Sequence, residues 1–298
     1  MNVNSKTDSI ALKQRLAELS ADQRELLIRR LDAKKTDATF FRASSTIPKT
    51  RPRHIEDNPR VAVYPASHGQ QRMWFLHQYA QPSPVYCVPS AFHLAGALNV
   101  AWLEAAFDAV IQRHDMLRTT FAMENGELFQ RVATASAFRL RQINLEKIPV
   151  SARAAAAERC LDEETCRTFD LGAEPAFRAV LVRLQSDEHI LLLVLHHIIS
   201  DGWSRANFYR ELSAAYEALV TGQPSRLGEL PVQFADYSAW QNDWLKGGAL
   251  ETQTTYWKTK LAAEPEPLDL PSDRTRPATE SFRGGCCARR LEIGRAHV

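Results

Sequence analysis

Ile190 to Leu195 is the longest uninterrupted apolar run in the chain, six residues long, and it stops at His196-His197. A membrane-crossing helix needs about 18 to 20 such residues, so a run this short reads as a buried strand. Met1 to Ala11 is polar with a single Lys and has no apolar h-region, so no secretory leader is expected. Lys plus Arg (37) nearly balances Asp plus Glu (35), a net charge of +2. That balance sets up no general field for nucleic acid or an anionic membrane, and neither is expected as a partner. The cysteines, Cys87, Cys160, Cys166, Cys286 and Cys287, form no C-x-x-C pair and no even framework. Neither a metal site nor a disulfide scaffold follows from them, and the chain reads as a reduced, cytoplasmic protein. With 298 residues, 45% of them apolar, it is long enough for one or two domains with a full core.

Around the buried run, strands and helices alternate. Residues 8–33, within an N-terminal segment 1–35, carry Leu12, Leu16 and Leu19 at helical spacing. Ser20 with Gln23 then gives a capping-box signature. Residues 36–60 hold Pro48, Pro52 and Pro59 among polar residues and read as a linker, so the compact part is expected from Val61. Val88–Leu94 reads as a strand, and Asn99 caps a helix with Leu103, Phe107, Val110 and Ile111 on one face. Thr119–Met123 and Leu128–Val132 flank Asn125-Gly126, the signal of a type I′ hairpin. Ser151–Thr168 is helical, and Phe177–Leu184 pairs with the apolar run across Gln-Ser-Asp-Glu. A helix from about Trp203 to Val220 ends at Gly222. The expected class is α+β, helices against a largely antiparallel, mixed sheet in a two-layer lobe.

The chemistry concentrates in Leu195-His196-His197-Ile198-Ile199-Ser200-Asp201-Gly202-Trp203. Side chains alternate along a strand, so His196 and His197 point to opposite sides, one toward a cavity and one into the body of the domain. That divergence argues against both chelating one metal. A neutral imidazole at a strand end accepts protons near neutral pH, which suits acyl transfer. Asp201 can orient the ring through the local turn or pair with an arginine. The Gly202 amide, opening a helix, can meet a developing oxyanion.

His196-His197-Ile198-Ile199-Ser200-Asp201-Gly202 resembles the HHxxxDG signature of nonribosomal peptide synthetase condensation domains. Ser67 to Leu76 resembles the family's SxAQxRxWxL motif, with Gly69 where Ala is usual. Arg113 to Phe121 resembles RHExLRTxF with Asp115 in place of Glu. Phe234 to Gln241 resembles YxDYAxWQ, and Leu270 to Pro277 is similar to LPTDRPRP. Five such segments in order, from residue 67 to 277, leave little room for chance.

The resemblance implies a chloramphenicol acetyltransferase-like lobe at 61–230 and the start of a second, similar lobe at 231–291, with the active site between lobes. It implies an acceptor aminoacyl thioester attacking a donor acyl thioester, both delivered on the 4′-phosphopantetheine arms of peptidyl or aminoacyl carrier proteins. A neighbouring adenylation domain is the further partner, and no cofactor or metal is bound directly. His197 is the residue the family places at the reaction, either as base or as a group that holds the amine. Asp201 is implied to be structural, paired with an arginine such as Arg113 or Arg118, and His196 to act through folding. Trp74, Phe75 and Leu76 are expected in the core, and Arg72 as a buried ion-pair partner. Two other functions fit less of the pattern: a stand-alone acyltransferase of the same fold, or a silent remnant that binds a carrier protein.

Later family motifs are absent, and residues 292–298 have no apolar period and read as a non-native tail. On this reading the second lobe is truncated and the chain by itself is poorly soluble or inactive. A clean monomeric peak in size-exclusion chromatography, together with multiple-turnover condensation, would contradict it.

Overall fold

Both faces of the predicted buried strand are covered. The computed structural model describes residues 47–55, 58–80, 83–135, 138–263, 268, 270–275 and 289. The expected helical segment 1–35, Cys286, Cys287 and the tail 292–298 lie outside the described residues. The chain divides into two units, Met1–Pro48 and Lys49–Val298, and every element named here belongs to the second. In chain order these are β1 (Arg53–Ile55), β2 (Asn58–Pro65), α1 (His68–Tyr79), β3 (Cys87–Ala95) and α2 (Val100–Arg113). A 3-10 turn (Asp115–Arg118), β4 (Thr119–Glu124), β5 (Glu127–Ala133), β6 (Arg141–Asn144) and α3 (Val150–Cys166) follow. The chain continues through β7 (Phe177–Gln185), β8 (Glu188–His196), α4 (Gly202–Thr221), α5 (Phe234–Trp244), a π turn (Leu245–Ala249) and α6 (Leu250–Lys260).

The strands divide between two four-stranded sheets, ordered β1-β2-β5-β4 and β3-β8-β7-β6. All pairings are antiparallel except β6 with β7, so the sheet holding β8 is mixed, as expected of this α+β fold. On one face of that sheet Leu191, Leu193 and Leu195 meet Phe107, Val110 and Ile111 of α2 and Phe208 and Leu212 of α4. On the other face Leu192 and Val194 meet Ala156 and Ala157 of α3, Phe169, and Phe121 and Leu128 from the neighbouring sheet. Double coverage is why β8 is an unbroken apolar run rather than an alternating one. Among the described residues no helix is long and apolar enough to cross a membrane.

Local chemistry fixes the turns. Asn125 (φ 51°) and Gly126 (φ 83°) form a two-residue loop, Glu124 pairing with Glu127, as the I′ signal requires. Between β7 and β8 the loop is also two residues, Ser186-Asp187. The expected four-residue connection is shorter because Gln185 pairs with Glu188 and donates from Nε2 to its carboxylate at 2.8 Å. Asn99 accepts the Trp102 amide at the start of α2.

Part of the expected linker 36–60 is strand, since β1 and the first residues of β2 fall within it. β1 is an edge strand of three residues with Arg53 and His54 exposed, too short to carry an apolar period that could be read. Pro59 is accommodated because pairing of β2 with β5 begins only at Val61.

Gly222 ends α4 at φ 67°, and a Cβ built there meets nothing within 4 Å. Gly222→Ala therefore costs only the left-handed backbone penalty, about 1 kcal/mol, whereas Phe107→Ala, in the fully buried core, costs about 3 to 5 kcal/mol. Urea unfolding of the two variants should separate them by that margin.

Candidate active site

The end of β8 is where the buried sheet meets solvent. His196 closes the strand with no exposed surface, its amide donating to Ala176 O at 3.0 Å. His197 follows with its amide on Tyr86 O at 2.9 Å and its side chain exposed. The alternation expected from strand geometry is thus observed.

His196 organises the next four residues. Its Nδ1 accepts the Ile198 amide at 3.0 Å, and its carbonyl accepts from Ile199 N and Ser200 Oγ, both at 3.1 Å. Because Nδ1 accepts, the proton of the neutral ring sits on Nε2, which faces His77 Nδ1 at 3.2 Å. The two rings meet edge-on, centroids 4.9 Å apart. Burial, then the neighbouring His77 and His197, push the His196 pKa down to about 3, so this ring stays neutral at physiological pH.

His197 has the opposite tautomer. Its Nδ1 lies 3.1 Å from Ser200 O, and a carbonyl only accepts, so Nδ1 carries the proton. In the neutral ring Nε2 then keeps its lone pair. His197 lines a cavity of about 450 Å³ together with Ser67, Gln70 and Arg72 of the α1 start, Met116, Ser204 and Phe234.

Asp201 does not pair with an arginine among the described residues, contrary to expectation. It is the N-cap of α4: its carboxylate accepts the Ser204 amide at 2.7 Å, while Ser204 Oγ accepts the Asp201 amide, also at 2.7 Å. The Ser204 amide bond, above all, holds the Asp201 carboxyl below the usual carboxylate range, with the Trp203 amide contributing. The two arginines are occupied elsewhere. Arg113 Nε and His114 Nε2 both bind Glu211 Oε2, at 2.9 and 2.6 Å, tying the end of α2 to α4. Burial pushes the Glu211 carboxyl up, and the bonds from His114 and Arg113 outweigh it and hold it low. Arg118 is held by Asp115 and by Ala133 O. Both arginines therefore brace the frame rather than Asp201.

Gly202 is exposed at the first position of α4 and is not among the lining residues. Arg72, expected as a buried ion-pair partner, is exposed at the cavity instead. Phe75, expected in the core, is 66% exposed, whereas Trp74 packs against the second core beside Phe121. The helical period of α1 explains the difference, since adjacent residues fall on different faces.

The frame was not readable as such from the motifs. Ser67 caps α1 and Gln70 reciprocates, its amide nitrogen bonding Gln130 Oε1 at 3.3 Å. Gln233, just before α5, donates to Arg113 O at 3.0 Å and accepts the Asp115 amide at 3.2 Å. Asp236 accepts the Thr50 and Gln233 amides, at 2.7 and 2.8 Å, and Gln241 accepts the His68 amide at 3.1 Å. The second and fourth motif segments thus clamp the α1 start against the cavity.

A family model described as "Condensation domain" matches residues 61–296. A linear gramicidin synthase protein of Brevibacillus parabrevis is 42% identical over 226 residues, covering 76% of this chain and 3% of that protein. Phosphinothricin tripeptide synthetase PhsC of Streptomyces viridochromogenes is 36% identical over 92% of this chain and 24% of its own. Among solved structures, the X-domain from teicoplanin biosynthesis is similar at 32% identity and a TM-score of 0.64, over 80% of this chain and 50% of that one. The starter condensation domain of rhizomide synthetase RzmA, at 23% identity and a TM-score of 0.63, shares the fold over 69% of this chain and 49% of that one. The chain spans about half the length of these solved relatives and a small part of the curated ones.

His196 binds a proton more readily in the unfolded chain than in the fold. Its stabilising contribution is therefore complete above pH 6.5 and is lost as pH falls from there toward 3. His196→Asn, whose Oδ1 can still accept the Ile198 amide, should unfold with a smaller difference in urea midpoint between pH 7 and pH 5 than the parent chain.

Proposed function

The chain belongs to the condensation-domain family, and on that premise we propose that its cavity is where an acceptor amine attacks a donor acyl thioester. The observation that carries this reading is the His197 tautomer, Nδ1–H on Ser200 O with Nε2 left as an acceptor beside the cavity. An amine N–H donated to Nε2 turns the nitrogen lone pair toward the thioester carbonyl. The C–N bond forms, the amine proton passes to Nε2, and the C–S bond breaks with that proton returned to sulfur. Amine plus thioester becomes amide plus thiol, and the imidazole is regenerated.

The acceptor amine has a reference pKa of about 7.7 to 8.0, so roughly a tenth is already neutral at pH 7. His197 therefore works mainly by holding the amine and relieving charge in the tetrahedral intermediate. Gly202 does not itself line the cavity, but Asp201 and Ser204 on either side of it do. Asp201 takes the Ser204 and Trp203 amides and leaves that of Gly202, at the positive end of α4, as a donor for an oxyanion at the cavity's edge. Donor and acceptor arrive as 4′-phosphopantetheine thioesters on peptidyl or aminoacyl carrier proteins, beside an adenylation domain. Membership of the condensation-domain family supports that assignment.

In a two-lobed condensation domain that contains this chain, pantetheine thioesters of an acyl donor and an amino acid, with amide formation followed by mass spectrometry, test the two roles. His197→Ala should lose at least a hundredfold in rate, about 2.7 kcal/mol of barrier. Gly202→Pro removes one N–H at a helix position where proline is well tolerated, with Asp201 already extended (φ −138°) and open space around the added ring. It should fold normally yet slow amide formation by about 10². An unchanged rate in a folded His197→Ala protein would sink the proposal. An unchanged rate in Gly202→Pro would remove the oxyanion role alone.

A further inference from the structure

His77 lies one position beyond the first motif segment, on α1, and nothing in the condensation chemistry calls for it. It is 3% exposed, and its Nδ1 lies 3.2 Å from His196 Nε2. It also makes a backbone hydrogen bond to Phe169, on the segment between α3 and β7. The two rings therefore sit in a chain of single-direction bonds. The Ile198 amide donates to His196 Nδ1, His196 Nε2–H donates to His77 Nδ1, and His77 donates from its other nitrogen to the Phe169 carbonyl. Each imidazole has one donor and one acceptor, and each is used.

We infer that His77 is a positioning residue for His197: its Nδ1 fixes the tautomer and plane of His196, and His196 in turn holds the turn that sets the His197 tautomer. The path is continuous. If His196 Nε2–H has no acceptor, the buried ring is left with an unsatisfied donor. The alternative tautomer places a proton on Nδ1, directly against the Ile198 amide that it now accepts. That amide bond and the two bonds to His196 O close the turn, and the turn places Ser200 O against His197 Nδ1. A simple packing role predicts something else. Phe169 and Tyr86 already surround His196, at centroid distances of 6.3 and 6.1 Å, so an apolar side chain at 77 would fill the space as well as a polar one.

The consequence for catalysis rests on the reading of His197 given above, but the positioning itself is read without turnover. In the full 298-residue chain, labelled with ¹⁵N in histidine, long-range proton–nitrogen correlation spectra report which ring nitrogen carries the proton. The parent should show His196 protonated on Nε2 and His197 on Nδ1. His77→Leu should reduce the Nδ1–H form of His197 to half or less, and His77→Asn, whose Oδ1 takes the place of Nδ1, should restore most of it. Thermal unfolding of each variant checks folding. Equal or better restoration by Leu than by Asn would assign His77 to packing and overturn the inference. Should the Leu variant not fold, His196 protonated on Nδ1 in the parent would overturn it equally. Loss of amide formation with both tautomers intact would instead count against the role of His197, not of His77.

Discussion

A backbone amide donated into an imidazole, Ile198 N–H to His196 Nδ1, decides how the central strand ends. β8 is buried on both faces, so its last residue has no water to satisfy it, and the chain beyond has to turn without exposing the core. A histidine at that point supplies an acceptor for the turn and a donor for α1 at once. The following histidine then inherits a fixed ring. It faces the cavity because strand side chains alternate, and it presents Nε2 because Ser200 O occupies Nδ1.

The cavity beside it is held from three sides. Glu211 draws Arg113 and His114 of the α2 end onto α4. Gln233 and Asp236 fasten the start of α5 to the α2 end and to Thr50, and Gln241 reaches the first amide of α1. None of these groups needs to touch a substrate. They keep the α1 start, the 3-10 turn and the β8 turn at fixed separation, which is what catalysis by orientation demands. The arginines of the second motif segment belong to this frame, and Asp201 is satisfied by the helix that it begins.

Much of this was legible in the sequence because the signals were local. The Asn125-Gly126 loop, the Asn99 cap, the Gly222 stop and the uninterrupted run of β8 each follow from a few adjacent residues. The divergence of His196 and His197 follows from strand alternation alone. What stayed hidden is non-local or lacks an apolar period. β1 is only three residues long, the division into two sheets depends on pairings between distant strands, and the partner of Arg113 is set by tertiary packing. The helix α1 had a readable signal in its Ser67–Gln70 capping box, the same signature noted at Ser20–Gln23, and following it would have placed Phe75 and His77 on different faces.

The central claim is that two adjacent histidines are divided into an inert, buried, neutral hub and an exposed, tautomer-fixed acceptor. Timed modification of the folded chain with diethyl pyrocarbonate, located by mass spectrometry, tests it most directly. Rapid carbethoxylation of His197, with His196 protected until the chain unfolds, is the predicted result. Equal reactivity of the two histidines, or modification of His196 first, would contradict it.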